Sequence, residues 1–223
     1  MKKIDCSLYL VTDRSLARNR PIEQVVREAI LGGVTVVQLR EKDLGSDRFL
    51  QQARSMKSVT DEMGVPLIIN DRLDIAMECA AAGVHLGQED MGCAEARRTA
   101  GERMIIGISV STPQEAVSAE AAGADYLGVS PIFLTGTKTD TPPPSGLEGL
   151  RAIRKAVRIP LVGIGGINAT NTADIIRAGA DGVAVVSAIM AAPDPRMATR
   201  QLIAAIQAGR HRTDADLQLS RRS

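Results

Sequence analysis

The sequence predicts an α/β protein of eight parallel strands and intervening helices, closed into a single (β/α)8 TIM barrel. Three observations carry this. A phrase recurs along the chain: EAILGGVTVVQL at 28–39, ECAAAGVHLG at 78–87, AEAAGADYLGV at 119–129 and IIRAGADGVAVV at 175–186. In each, a helix-like segment turns at a glycine able to end it in a left-handed conformation, then enters a short aliphatic run. Those runs are apolar at consecutive positions and rich in Val, Ile and Leu, as strands buried on both faces are. Finally, a unit of about 28 residues repeated eight times spans nearly all of the 223 residues, a usual length for one such barrel. An open doubly wound sheet would more often show GxGxxG after its first strand, where this chain reads VTDRS.

The strands, in order, are SLYLVT (7–12), VTVVQLR (34–40), PLIIN (66–70), GVHLG (83–87), MIIGISV (104–110), ADYLGVS (124–130), PLVGIGG (160–166) and GVAVVS (182–187). The second, fourth, sixth and eighth follow the repeated junction, and the others fill the gaps between. Helical segments lie between them, at 47–63, 112–122, 147–156 and 171–178 among others, several opened by Ser, Thr, Asp or Asn. Met56, Met63 and Met77 fall in helical segments and read as core filler. The barrel domain is assigned to residues 1–208. From 209 the sequence RHRTDADLQLSRRS is polar and without a sustained apolar face, and is expected to be disordered.

Basic and acidic residues nearly cancel, 27 against 26, so no global field draws the protein to nucleic acid or an anionic membrane. Two Tyr, two Phe and no Trp leave few platforms for stacking bases. No apolar run approaches the roughly 18 residues that a membrane span requires. Cys6, Cys79 and Cys93 are odd in number and form no CxxC pair, and the start MKKIDCSLYLVTD lacks a signal-peptide pattern, so a reducing cytoplasm is expected. Small molecules are the expected partners, and a homo-oligomer is compatible with the sequence.

Barrels of this kind carry their chemistry at the C-terminal strand ends. There the sequence places Gln38, Arg40 and Lys42, then Asn70 and Asp71, then Asp90, then Ser109. Thr135, Thr137 and Lys138 follow the sixth strand, Gly165 and Gly166 the seventh, and Val186 and Ser187 the eighth. One guanidinium and two ammonium groups suit an oligophosphate; ordinary surface charge is the alternative. Asp71 and Asp90 follow neighbouring strands and are able to share one ion, magnesium rather than zinc by their hard oxygens. Asp71 as a simple helix cap is the competing reading. Glycines in GIGGIN allow close backbone approach to a second phosphate, or serve close packing. His85, in a strand, reads as a core or structural residue, and neither it nor His211 is placed for a Ser-His-Asp triad.

Taken in order, VTD, VVQLREK, IINDR, GVHLGQED, IGIS, the PIF-xTxTK loop and GIGGI resemble the thiamin phosphate synthase family over roughly residues 7–190. The resemblance implies coupling of an aminopyrimidine methyl diphosphate to a thiazole ethyl phosphate, with release of pyrophosphate and Mg2+ as cofactor. It implies that Gln38, Leu39, Arg40, Glu41, Lys42, Asn70, Ser109 and Lys138 bind the pyrimidine diphosphate, with Arg40, Lys42, Ser109 and Lys138 catalytic. Asp71 and Asp90 would hold Mg2+, and Thr135, Gly136, Thr137, Gly166, Val186 and Ser187 the thiazole phosphate. The polar stretch TGTKTDTPPPSG at 135–146 is then expected to be a lid over the phosphates. The chain departs from the family where VSPIF puts Ser130 at a usual glycine, and where MGC follows Asp90. A thiazole tautomerase or regulatory relative, a non-catalytic phosphate-binding module and a sugar-phosphate isomerase remain alternatives.

Overall fold

The computed structural model describes residues 4–134 and 143–220, with side chains through His211. Eight parallel strands close a barrel in chain order: β1 (Leu8–Val11), β2 (Val36–Leu39), β3 (Leu67–Asn70), β4 (Gly83–Leu86), β5 (Ile105–Val110), β6 (Tyr126–Val129), β7 (Leu161–Ile164) and β8 (Gly182–Val185). Each lies within its expected segment. Around them run α1 (Ile22–Gly32), α2 (Ser46–Glu62), α3 (Leu73–Glu78), α4 (Cys93–Ala100), α5 (Pro113–Ala121), α6 (Gly146–Ala156) and α7 (Thr172–Arg177), followed by α8 (Ser187–Met190) and α9 (Pro195–Ser220). The eighth strand stops at Val185, and the chain turns at Val186 into the four-residue α8.

The repeated junction has a physical basis at both its glycine and its aspartate. Gly33 ends α1 at φ 119°, a conformation that costs other residues strain, and its N–H bonds back to Ile30 O at 2.9 Å. The two GAD triplets each end in a carboxylate that ties down the start of the preceding strand. Asp125 Oδ2 accepts from Ile106 N (2.8 Å) and Arg97 Nη2 (2.6 Å). Asp181 Oδ2 accepts from Leu161 N (2.8 Å) and Arg154 Nη1 (3.0 Å).

Side chains alternate across the strands. Leu8, Leu10, Val37, Leu39, Leu67, Ile69, Leu127 and Val129 face the helices in one large core. The other phase points into the barrel, where Cys6, Tyr9, Val11, Val36, Ile68, Ile105, Tyr126, Val162 and Ala184 form a separate cluster. Farther along the same inward phase the residues become polar: Gln38, Asn70, His85 and Ser109. The apolar floor and polar mouth are thus two ends of one set of strand positions.

One expectation is corrected. Met77 is half exposed rather than core, whereas Met56 is fully buried. The last helix, α9, packs on α7 and α1, with Leu202 and Ile206 buried. Arg210 Nη2 then donates to Ser7 Oγ (2.7 Å) and Asp181 O (3.0 Å).

Candidate active site

A cavity of ≈ 420 Å³ opens at the C-terminal ends of the strands. Gln38, Arg40, Asn70, His85 and Ser109 line one side, and Gly165, Gly166, Val186 and Ser187 another. Seven of the residues expected at a phosphate site therefore meet in one space: Gln38, Arg40, Asn70, Ser109, Gly166, Val186 and Ser187. Arg40 stands two residues beyond inward-facing Gln38, its backbone N–H donating to Thr12 Oγ1 at 3.1 Å. No hydrogen bond or ion pair among the described residues holds its guanidinium.

The remaining expected residues divide. Leu39 is fully buried and faces the helices, so its side chain does not reach the cavity. Glu41 turns to Arg14, its Oε1 accepting from Arg14 Nη2 at 2.8 Å with only 7% of the side chain exposed. Lys42 is exposed, yet its charge acts on Asp71. Thr135, Gly136, Thr137 and Lys138, and with them most of the expected lid, lie outside the described residues.

Asp71 and Asp90 come together, as the spacing of neighbouring strand ends predicts. Asp71 sits at φ 63°, with its N–H donating to His85 O at 2.8 Å. Asp90 Oδ2 accepts from Gly87 N at 2.7 Å. The reading of Asp71 as a helix cap does not hold, because the N-cap of α3 is Arg72, with no side-chain cap bond. Burial, then the hydrogen bond and charge of Asp90, push the Asp71 carboxyl up to about 6, against the opposing charges of Lys42 and Arg40. Two hard carboxylates facing each other form a fragment of a cation site. Among the described residues no third His, Cys, Asp or Glu joins them.

The glycines after β7 take up close packing. Gly166 adopts φ 66°, and a Cβ there would meet Leu134 O at 2.6 Å. Phe133 N donates to Gly165 O at 3.1 Å and Ile132 N to Ile164 O at 2.9 Å, so residues 132–134 run along the end of β7. Ser130, the departure at the usual glycine, lines the cavity and donates its N–H to Val110 O at 3.0 Å.

Sequence reasoning missed three polar side chains inside the barrel. Tyr9 and Tyr126 have hydroxyls 2.7 Å apart, and His85 lies between Tyr126 Oη (3.0 Å from Nδ1) and Ser109 Oγ (2.9 Å from Nε2). His85 is thus joined to the site rather than to the core alone. Gly107 and Gly128 make room: a Cβ at the first would lie 2.1 Å from Tyr126 Cζ, and at the second 3.0 Å from His85 Cε1. The signal was available in strand phase, since all five positions point inward.

Residues 8–189 match the TMP-TENI family, described as thiamine monophosphate synthase. The chain belongs to this family. It is 52% identical over 203 residues to the thiamine-phosphate synthase of Chloroflexus aurantiacus, covering 91% of this chain and 94% of that one. It is 53% identical over 202 residues to that of Albidiferax ferrireducens, covering 89% and 92%. Among solved structures, the thiamine phosphate pyrophosphorylase of Pyrococcus furiosus superposes with a TM-score of 0.83 at 39% identity, covering 92% and 98%. Those lengths span the whole barrel, so family membership applies to the architecture and the cavity together.

Proposed function

We propose that the cavity joins 4-amino-2-methyl-5-(diphosphooxymethyl)pyrimidine to 4-methyl-5-(2-phosphooxyethyl)thiazole, giving thiamine phosphate and pyrophosphate. The observation that carries this reading is the pairing, in one cavity of a chain of this family, of Arg40, whose guanidinium no hydrogen bond or ion pair among the described residues holds, with a wall of Gly166, Val186 and Ser187, the last opening α8. One wall suits a diphosphate, the other a phosphate monoester.

In this reaction the bond from the pyrimidine methylene carbon to the diphosphate oxygen breaks, the electron pair leaving with the diphosphate. The thiazole nitrogen then donates its lone pair to that carbon. The nitrogen has no proton to lose, so no general base is required, and the site's work is electrostatic and positional. Arg40 and Lys42 meet the charge that grows on the departing oxygens, and Lys138 is assigned the same role. Asn70 and Ser109 orient the pyrimidine, while Gly166, Val186 and Ser187, with Thr135 to Thr137, seat the thiazole phosphate. Asp71 and Asp90 would hold Mg2+, which when bound neutralises diphosphate charge. Their fit rests on the donor set: two hard oxygens, with further positions left to phosphate and water.

The decisive assay is pyrophosphate release with both heterocycles, with each omitted in turn, and with Mg2+ chelated. Release only from the complete mixture, with thiamine phosphate as co-product, is expected. Saturable binding of the thiazole phosphate without any release would assign the cavity to a non-coupling relative.

The raised Asp71 pKa gives a pH dependence of definite sign. A cation must displace the proton, so apparent Mg2+ affinity should be flat above pH about 6 and fall by up to about tenfold per unit below it. For the metal-free fold the sign is opposite: a carboxyl raised from 3.8 to about 6 gives a contribution present below 3.8 and lost as pH rises through 6. Asp71→Asn should therefore melt higher than the parent at pH 8 in chelator, and show no Mg2+-induced shift. Equal melting temperatures there would mean that neither burial nor Asp90 penalises the Asp71 charge.

A further inference from the structure

Five side chains from five strands form one hydrogen-bonded chain across the barrel. Gln38 Nε2 donates to Tyr9 Oη at 3.0 Å, Tyr9 Oη meets Tyr126 Oη at 2.7 Å, Tyr126 Oη meets His85 Nδ1 at 3.0 Å, and His85 Nε2 meets Ser109 Oγ at 2.9 Å. Every member lines the cavity except Tyr126, which is fully buried.

One direction of donation leaves every hydrogen of the chain within it. Each phenol has one hydrogen. In that direction the Gln38 amide donates to Tyr9 Oη, the Tyr9 hydrogen goes to Tyr126 and the Tyr126 hydrogen to His85 Nδ1. A ring nitrogen that accepts carries no hydrogen, which places the imidazole hydrogen on Nε2, donated to Ser109 Oγ. The reverse direction would turn the nearly buried Tyr9 O–H away from the chain. Burial raises both phenol pKa values above their usual range, so neither hydrogen is lost.

We propose that this chain selects a 4-aminopyrimidine over its 4-oxo counterpart by fixing which polar atoms face the ligand. Ser109, accepting from His85, offers its own hydrogen to a ring nitrogen. Gln38, its amide nitrogen committed to Tyr9, offers Oε1 to an exocyclic amine. The oxo compound presents the reverse, a ring N–H and a carbonyl, and a mismatch at a buried polar site is strongly rejected. Tyr9, Tyr126 and His85 are positioning residues, acting through Gln38 and Ser109. The inference rests on the pyrimidine diphosphate occupying this cavity, as proposed above.

Two measurements test it independently. The chain has only two histidines, His85 and His211. Nitrogen-15 NMR of the whole protein, with His211→Gln for assignment, should show His85 bare at Nδ1 and protonated at Nε2, and a mixture of tautomers in Tyr126→Phe. A wild-type hydrogen on Nδ1, or on both nitrogens, overturns the proposal. In kinetics, the 4-oxo diphosphate is titrated as an inhibitor against the 4-amino substrate in wild type, Tyr9→Phe and Tyr126→Phe. The ratio of its Ki to the substrate's KM should fall about tenfold, one hydrogen bond's worth, with the thiazole KM within about twofold. A general packing defect would weaken both pyrimidines alike, so an unmoved ratio in both variants also overturns it. Absence of pyrophosphate release by the wild type would count against the proposed reaction, while the NMR result still decides the chain.

Discussion

Arg40→Ala is expected to lower kcat/KM by about 10²–10³-fold, with little change in melting temperature. The guanidinium projects at the cavity with no hydrogen-bonding partner among the described residues, so its removal orphans no protein group. Its worth appears only when diphosphate charge develops, where a preorganised donor in a partly desolvated site contributes about 2.7–4 kcal/mol. Arg40→Lys should recover only part of the rate, because a point charge replaces a planar fork that bonds two oxygens together. Steady-state kinetics with varied pyrimidine diphosphate, alongside thermal melting, checks this. A loss below about tenfold in Arg40→Ala would move the diphosphate elsewhere.

Gly107→Ala should instead cost the fold about 2–3 kcal/mol, through overpacking. The added methyl would lie 2.1 Å from Tyr126 Cζ and 2.3 Å from its hydroxyl, and the ring, fully buried, has no open direction to move. For a chain of this size the melting temperature should drop by roughly 5–10 °C. Combining Gly107→Ala with Tyr126→Leu should be clearly less destabilising than the sum of the two, since the shorter side chain vacates the clash. Strict additivity would place the strain somewhere other than this contact.

These two residues also mark what was legible in the sequence. The barrel was readable because its signals are local: consecutive apolar residues in each strand, and a left-handed glycine closing helices such as α1, α5 and α7 before the next strand begins. The phosphate-facing residues were readable because strand ends converge in a barrel, so Gln38, Arg40, Asn70 and Ser109 needed only their positions and polarity. Direction was harder. Leu39 and Glu41 belong to the same QLREK stretch, yet alternation sends Leu39 into the helix layer, and Arg14, distant in sequence, draws Glu41 away. The tyrosines and His85 were passed over for a related reason. Taken singly, each is an amphipathic residue in an apolar strand. Only closure of the sheet sets Tyr9 against Tyr126, across 117 positions of sequence.

The apolar floor beneath that chain has a consequence for the kind of chemistry the molecule hosts. Cys6, Val36, Ile68, Ile105 and Val162 close the lumen below the phenols, and burial pushes the Cys6 thiol up to about 12. The polar thread is therefore insulated at its lower end and grounded only at the mouth. It can relay orientation between its two ends, but it offers no drain through which a proton taken from a substrate would escape to solvent on the far side. A barrel wired in this way is suited to a reaction that moves an electron pair and sheds an anion, and poorly suited to one that must pass protons in and out with every turnover.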